Sequence, residues 1–175
     1  MELNGEKVDW TSDAPWTGTR KPIMSADSLP AAAYADAEFY AVEMERVFAS
    51  AWVCVGFATE ARQDRLLVRE VAGQSIIVTR TEDDAVHAFH NACRHRGTEL
   101  AEHDCDVKGT IRCPYHRWCY TLDGALVRTP LFDDAGVDDF DLDDHGLVEV
   151  RSATFGCLLF VCKSLLTLRN WRNDF

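Results

Sequence analysis

The sequence predicts a mainly β protein: an antiparallel β-sandwich with a smaller subdomain of two loops, preceded by a single helix. Three observations lead there. Short runs rich in β-branched and aromatic residues recur between turn signals. Only one stretch, near residues 36–50, carries a helical period. Two loops bearing cysteine and histidine, 93–97 and 113–118, are separated by enough chain for one returning strand.

Residues 1–35 read as an irregular arm, polar and broken by Pro15, Gly18 and Pro22, with Trp10 and Trp16 expected at the edge of a core. Residues 36–51 read as the helix. Asp36 is a good N-cap, Glu38 sits near the positive helix end, and Phe39, Val42, Val47 and Phe48 fall roughly on one face. The period then switches to two. Trp52–Phe57, Arg65–Val71, Gln74–Arg80 and Ala85–Asn91 read as strands, with turns at Ala72-Gly73 and at Glu82-Asp83-Asp84. A strand at 109–112 returns to the second loop, and Tyr120–Val127 reads as a hairpin around Asp123-Gly124. Leu147–Arg151 and Thr154–Cys162 are the expected closing strands. The main domain is thus 52–163, its cluster-binding part is about 91–130, and 164–175 is a short linker.

The net charge of −11 excludes nucleic acid and an anionic membrane surface as natural partners. The acids are mostly Asp (18 of 29) and the bases mostly Arg (14 of 18), which fits a salt-adapted host or simply a soluble acidic protein. No signal-peptide pattern opens the chain, and no apolar run approaches the length of a membrane span. A cytoplasmic setting follows as an expectation, and there the cysteines outside the two loops (Cys54, Cys105, Cys119, Cys157, Cys162) are expected as thiols.

The chemistry concentrates in Cys93-Arg94-His95-Arg96-Gly97 and Cys113-Pro114-Tyr115-His116-Arg117-Trp118. Each loop offers one thiolate and one imidazole. That donor set matches a [2Fe–2S] cluster in which two histidines replace two cysteines on one iron. Two ferric ions, two sulfides and two thiolates sum to zero charge, so an electron enters more easily than into a four-cysteine cluster. The potential is expected between roughly −150 and +300 mV, against about −400 mV for plant-type ferredoxins. Two Cys and two His also make a tetrahedral zinc site, although Cys-x-His is tighter than the usual knuckle spacing. Tyr115 and Trp118 are expected to shield the cluster. Arg94 and Arg96 read as docking or bracing cations or, more simply, as partners of Glu99 and Glu102.

These two motifs resemble the Rieske motif of the ring-hydroxylating and related Rieske non-haem iron oxygenases, over about residue 29 to the C-terminus. The resemblance implies that Cys93 and Cys113 hold one iron and that His95 and His116 hold the other. It implies an electron-transfer role, with a reductase or ferredoxin as donor, an oxygenase catalytic domain or subunit as acceptor, and a possible homo-oligomer. Arg117 stands where the family often has glycine, which strains that position if it needs positive φ. Thr98 and Tyr115 stand where respiratory Rieske proteins carry a disulfide. Trp118 stands where they place a serine hydroxyl on a sulfide, so a potential low in the Rieske range is expected.

Other candidates are weaker. His87 and His90 are three apart on a strand and point to opposite faces, so they cannot chelate together. The acidic stretch Asp133–His145 fails the EF-hand template at its sixth and twelfth positions. No two-histidine, one-carboxylate set appears, so the mononuclear Fe(II) of the family is expected only in a domain outside this chain, and no catalytic residue is assigned. A stand-alone Rieske ferredoxin and a zinc-stabilised interaction module are the alternatives.

Overall fold

The computed structural model describes residues 2–3, 6–130 and 140–163. The expected linker 164–175 and part of the acidic stretch, 131–139, lie outside the described residues. The chain divides into two units, Met1–Ala49 and Ser50–Phe175.

The first unit opens with the short antiparallel pair β1 (Glu2–Leu3) and β2 (Glu6–Lys7). Two 3-10 turns follow, Ala14–Trp16 and Ala31–Tyr34, before helix α1 (Ala37–Glu43). Asp36 caps α1 as expected: its Oδ1 accepts the N–H groups of Glu38 (2.8 Å) and Phe39 (3.0 Å), and the Trp10 indole N–H at 3.2 Å. The Phe39 N–H does most to hold this carboxyl down to about 2, well below its ordinary value. The regular helix is shorter than its sequence period, because Met44–Phe48 widens into a π turn. Trp10, Trp16 and Phe39 pack on one another at 5.0–5.6 Å, so the two tryptophans build this unit's own cluster.

The second unit holds a seven-stranded sheet and a three-stranded sheet. The larger contains β3 (Val53–Phe57), β4 (Arg65–Val71), β5 (Gln74–Arg80), β6 (Val86–His90), β7 (Cys105–Asp106), β11 (Glu149–Phe155) and β12 (Leu158–Cys162). Its order is β3-β12-β11-β6-β5-β4-β7, and every pairing is antiparallel. The smaller sheet is β10 (Leu126–Arg128), β9 (Cys119–Thr121) and β8 (Thr110–Arg112) in that order. β4 and β5 match their expected bounds because Ala72 and Gly73 both take positive φ (48° and 69°), the twist a two-residue hairpin requires. The closing strands differ from expectation. The break falls at Gly156-Cys157 rather than between Arg151 and Thr154, so β11 runs on to Phe155.

The central strands are buried on both faces, which is why their sequences run apolar without a gap. Along β4 to β6, Leu66, Ile77 and Phe89 face one core, and Leu67, Ile76, Val78 and Ala88 face another. The first core also contains Cys93, Ile111, Cys113, Trp118, Tyr120 and Leu126, so it joins the small sheet to the large one and holds both loop thiols. Gly124 lets the two layers meet. A Cβ there would lie 2.4 Å from the Phe89 ring, and its φ is 89°. Among the described residues, no helix is long and apolar enough to cross a membrane.

Candidate metal centre

The loops 93–97 and 113–118 are built on one backbone turn. In the first, the N–H of Cys93 bonds to Thr98 O and that of Gly97 to Cys93 O, both at 2.8 Å. In the second, the N–H of Cys113 bonds to Trp118 O at 2.8 Å and that of Arg117 to Cys113 O at 3.2 Å. Each turn closes through a residue of positive φ, Gly97 at 71° and Arg117 at 64°. The strain expected at Arg117 is therefore present.

The turns bury both thiols and bring the two imidazoles into contact. Cys93 and Cys113 are 3% and 1% exposed. The rings of His95 and His116 meet edge to face at 4.7 Å. Both Nδ1 atoms are buried, and that of His116 has no hydrogen-bond partner. Burial, then the neighbouring His116 and Arg96, lowers the pKa of His95. Burial raises that of Cys113, against the backbone N–H groups of Tyr115 and His116, which point at its sulfur and favour the thiolate.

The shielding residues divide unevenly. Trp118, 2% exposed, stacks on His95 at 4.8 Å and 10°. Phe140 and His145 pack on the same indole at 5.6 and 6.2 Å. Tyr115 lies against His116 at 3.7 Å but is 60% exposed, so it covers a ring edge rather than a sulfur. Arg94 and Arg96 form no ion pair with Glu99 or Glu102, contrary to the simpler expectation: both stay exposed and outside every ion pair among the described residues. His87 lies 3.4 Å from the Thr81 hydroxyl, and burial lowers the pKa of His90. None of the seven cysteines is in a disulfide.

Two contributors escaped the sequence reading. The Tyr120 hydroxyl lies 3.2 Å from Cys93 Sγ and accepts the Arg94 N–H at 3.1 Å. Against a thiolate, which has no proton to give, the hydroxyl is the donor. Burial pushes this phenol above its ordinary pKa, so it stays protonated. The other is Asn91, 4% exposed. Its Oδ1 accepts from Leu100 and Ala101, while its Nδ2 donates to Ser75 Oγ and Ala101 O. One side chain thus ties the far end of the first loop to β5. Its place two residues before Cys93 was the only signal, and a buried amide is not marked by strand alternation.

The donor set fits the cluster. Buried thiols, an orphaned imidazole nitrogen and N–H groups aimed at sulfur are what a sulfide-bridged iron pair needs. Residues 51–150 match the Rieske [2Fe-2S] domain. The chain belongs to the Rieske [2Fe–2S] family. The Rieske domain here is 41% identical over 138 residues to the glycine betaine monooxygenase oxygenase subunit of Chromohalobacter salexigens, covering 77% of this chain and 30% of that protein. It is 36% identical over 135 residues to the carnitine monooxygenase oxygenase subunit of Escherichia coli K12, covering 77% and 36%. In structure it resembles a quaternary ammonium Rieske monooxygenase described for carnitine oxidation and inter-subunit electron transfer, with a TM-score of 0.71 and 31% identity over 79% of this chain and 38% of that one. The chain therefore spans about a third of the length of these relatives. The names of these relatives concern carnitine, glycine betaine and other quaternary ammonium compounds.

Proposed function

We propose that this chain is the electron-transfer part of a Rieske oxygenase of the quaternary ammonium type. Cys93 and Cys113 hold one iron of a [2Fe–2S] cluster, and His95 and His116 hold the other. The observation that supports this reading is the pair of matched turns, each with a core-buried thiol and an imidazole whose Nδ1 is buried. Bound there, the cluster supplies one-electron storage.

The chain's own residues set the conditions. The core around Cys93 and Cys113 keeps water from the sulfurs and lowers the local dielectric. The Tyr120 hydroxyl and the Tyr115 and His116 N–H groups stabilise negative charge on those sulfurs. His95 and His116 are only half-buried, so the ring edges away from Nδ1 form the outlet toward an acceptor. The donor is a reductase or ferredoxin. The acceptor is a mononuclear iron in a catalytic part outside residues 52–163 or on a neighbouring subunit. The substrate class, a quaternary ammonium compound, is supported by the names of the relatives.

Iron and acid-labile sulfide analysis with a visible spectrum tests the reading. Two irons and two sulfides per chain are expected, in a brown protein bleached by dithionite. A colourless protein fully loaded with zinc would overturn it.

A further inference from the structure

The segment from Phe140 to Leu147 reaches the centre without supplying a ligand. Its backbone is pinned around a 3-10 turn at Asp143–His145. The Asp143 N–H bonds to Asp141 Oδ1 at 3.0 Å, that of His145 to Leu142 O at 3.0 Å, and that of Leu147 to Gly124 O at 2.8 Å. Leu147 is buried in the core that holds Cys93, Cys113 and Trp118, and Phe140 and Leu142 pack against that core. The His145 side chain is fixed as well. Its Nδ1 lies 2.7 Å from Asp141 O, and because a carbonyl only accepts, Nδ1 carries a proton. The ring then lies on Phe140, with centroids 4.3 Å apart at 36°.

Both rings stand nearly upright against the Trp118 indole, Phe140 at 5.6 Å and 67° and His145 at 6.2 Å and 77°. The indole meets His95 in another way, with centroids at 4.8 Å and planes within 10° of parallel. Edge contacts stop the indole from turning about its side-chain bonds, and the face contact passes that fixed plane on to the imidazole. Each aromatic contact is worth about 0.5–1.5 kcal/mol beyond its buried area, so together they hold the ring against thermal motion. The second imidazole is held differently. The ring on His116 is Tyr115, which is 60% exposed and tilted at 37°.

We propose that His145 and Phe140 are positioning residues for the metal centre: they hold the Trp118 indole flat on His95 and so fix the plane of that iron-ligating imidazole. The inference rests on the cluster assignment above. Ligating histidines are ordinarily oriented by a hydrogen bond to the second ring nitrogen. The stack acts on the face of His95 instead, so it sets the plane without occupying the outer edge of the ring. Neither residue touches iron. His145 acts through Trp118, and Trp118 acts through its contact with His95.

Electron paramagnetic resonance of the full chain, carrying its cluster and reduced with dithionite, tests this. The added electron makes the centre paramagnetic, and the g-values follow the geometry of the iron's ligands. His145→Ala removes one edge contact and should shift and broaden the spectrum at unchanged iron content. His145→Phe restores a ring on Trp118 without the bond to Asp141 O, and should return the wild-type g-values and line widths. If His145→Ala loads less iron, Phe140→Leu, which keeps apolar bulk but removes the other ring, is read in the same way and should also shift and broaden the spectrum. Wild-type g-values and widths in the iron-loaded variant, whatever its denaturation midpoint, would reduce these side chains to ordinary core packing and overturn the proposal. So would a His145→Phe spectrum matching that of His145→Ala, by showing that the hydrogen bond and not the ring contact matters. Absence of any such signal in the reduced wild type would instead remove the cluster assignment.

Discussion

The first and second cluster loops are nearly the same turn reached by two different sequences. Both close with the cysteine N–H on the carbonyl five residues on, and with a left-handed fourth residue after the cysteine bonding back to it. Yet the histidine is two residues after Cys93 and three after Cys113, and the left-handed residue is Gly97 in one and Arg117 in the other. The bracing differs too. Two residues before the cysteine, the first loop has Asn91, with all its amide donors and acceptors engaged, and the second has Ile111, 2% exposed in the core. One loop is held by hydrogen bonds and the other by apolar burial. The difference teaches that the turn is what the site demands, and that the residues around it are free to supply it by different physics.

The largest expected effect ignores that difference. Cys93→Ser and Cys113→Ser should each abolish the visible spectrum and the bound iron, because each loop supplies one of only two thiolates. A cluster retained in either variant, measured by iron content, would break the equivalence of the two loops.

Asn91→Ala should separate them. It leaves the buried Leu100 N–H and the half-buried Ala101 N–H without their acceptor, a destabilisation of about 3 kcal/mol. Chemical denaturation reads it, and cluster loading should fall with the first loop. Ile111→Val, which trims one methyl from the second loop's anchor, should cost only about 1 kcal/mol and leave loading unchanged. If the two variants cost the same, polar and apolar bracing are not distinct.

Tyr120→Phe probes the sulfur that each loop presents. The phenol donates to Cys93 alone, so removing it should lower the reduction potential by about 40–60 mV, the one-electron equivalent of about 1–1.4 kcal/mol. A low potential is expected from Trp118 in place of a serine, and a hydroxyl that donates to a ligand sulfur acts in the opposite direction. An unchanged midpoint in a redox titration would show that the bond does not favour the reduced state.

What the sequence made legible follows from how local each signal is. The two loops and the hairpin at Ala72-Gly73 are written in contiguous residues, so local sequence revealed them. The turn at Gly156-Cys157 interrupts an apolar run on both sides, and nothing in the alternation marked it. Tyr120 read as an ordinary strand residue because its hydroxyl acts on a cysteine 27 positions away. Asn91 likewise works through Ser75 and Ala101, which only the folded sheet brings near. Long-range polar contacts of this kind have no period.

The smallest effect returns to the left-handed residue and has opposite signs in the two loops. A Cβ added at Gly97 would meet nothing within 4 Å, so Gly97→Ala causes no clash and its cost is that of the φ of 71° alone. It should destabilise by about 1 kcal/mol. Arg117→Gly should do the reverse and stabilise by about 1 kcal/mol, since glycine adopts φ 64° freely and no ion pair among the described residues is lost. The gain is partly offset by the greater freedom of glycine in the unfolded chain. Denaturation midpoints of the two variants, measured on protein with equal iron content, give the comparison. Shifts of the same sign would mean that the second loop's arginine contributes contacts within this chain that outweigh its backbone strain. Opposite signs would mean that arginine is kept at position 117 for something other than stability.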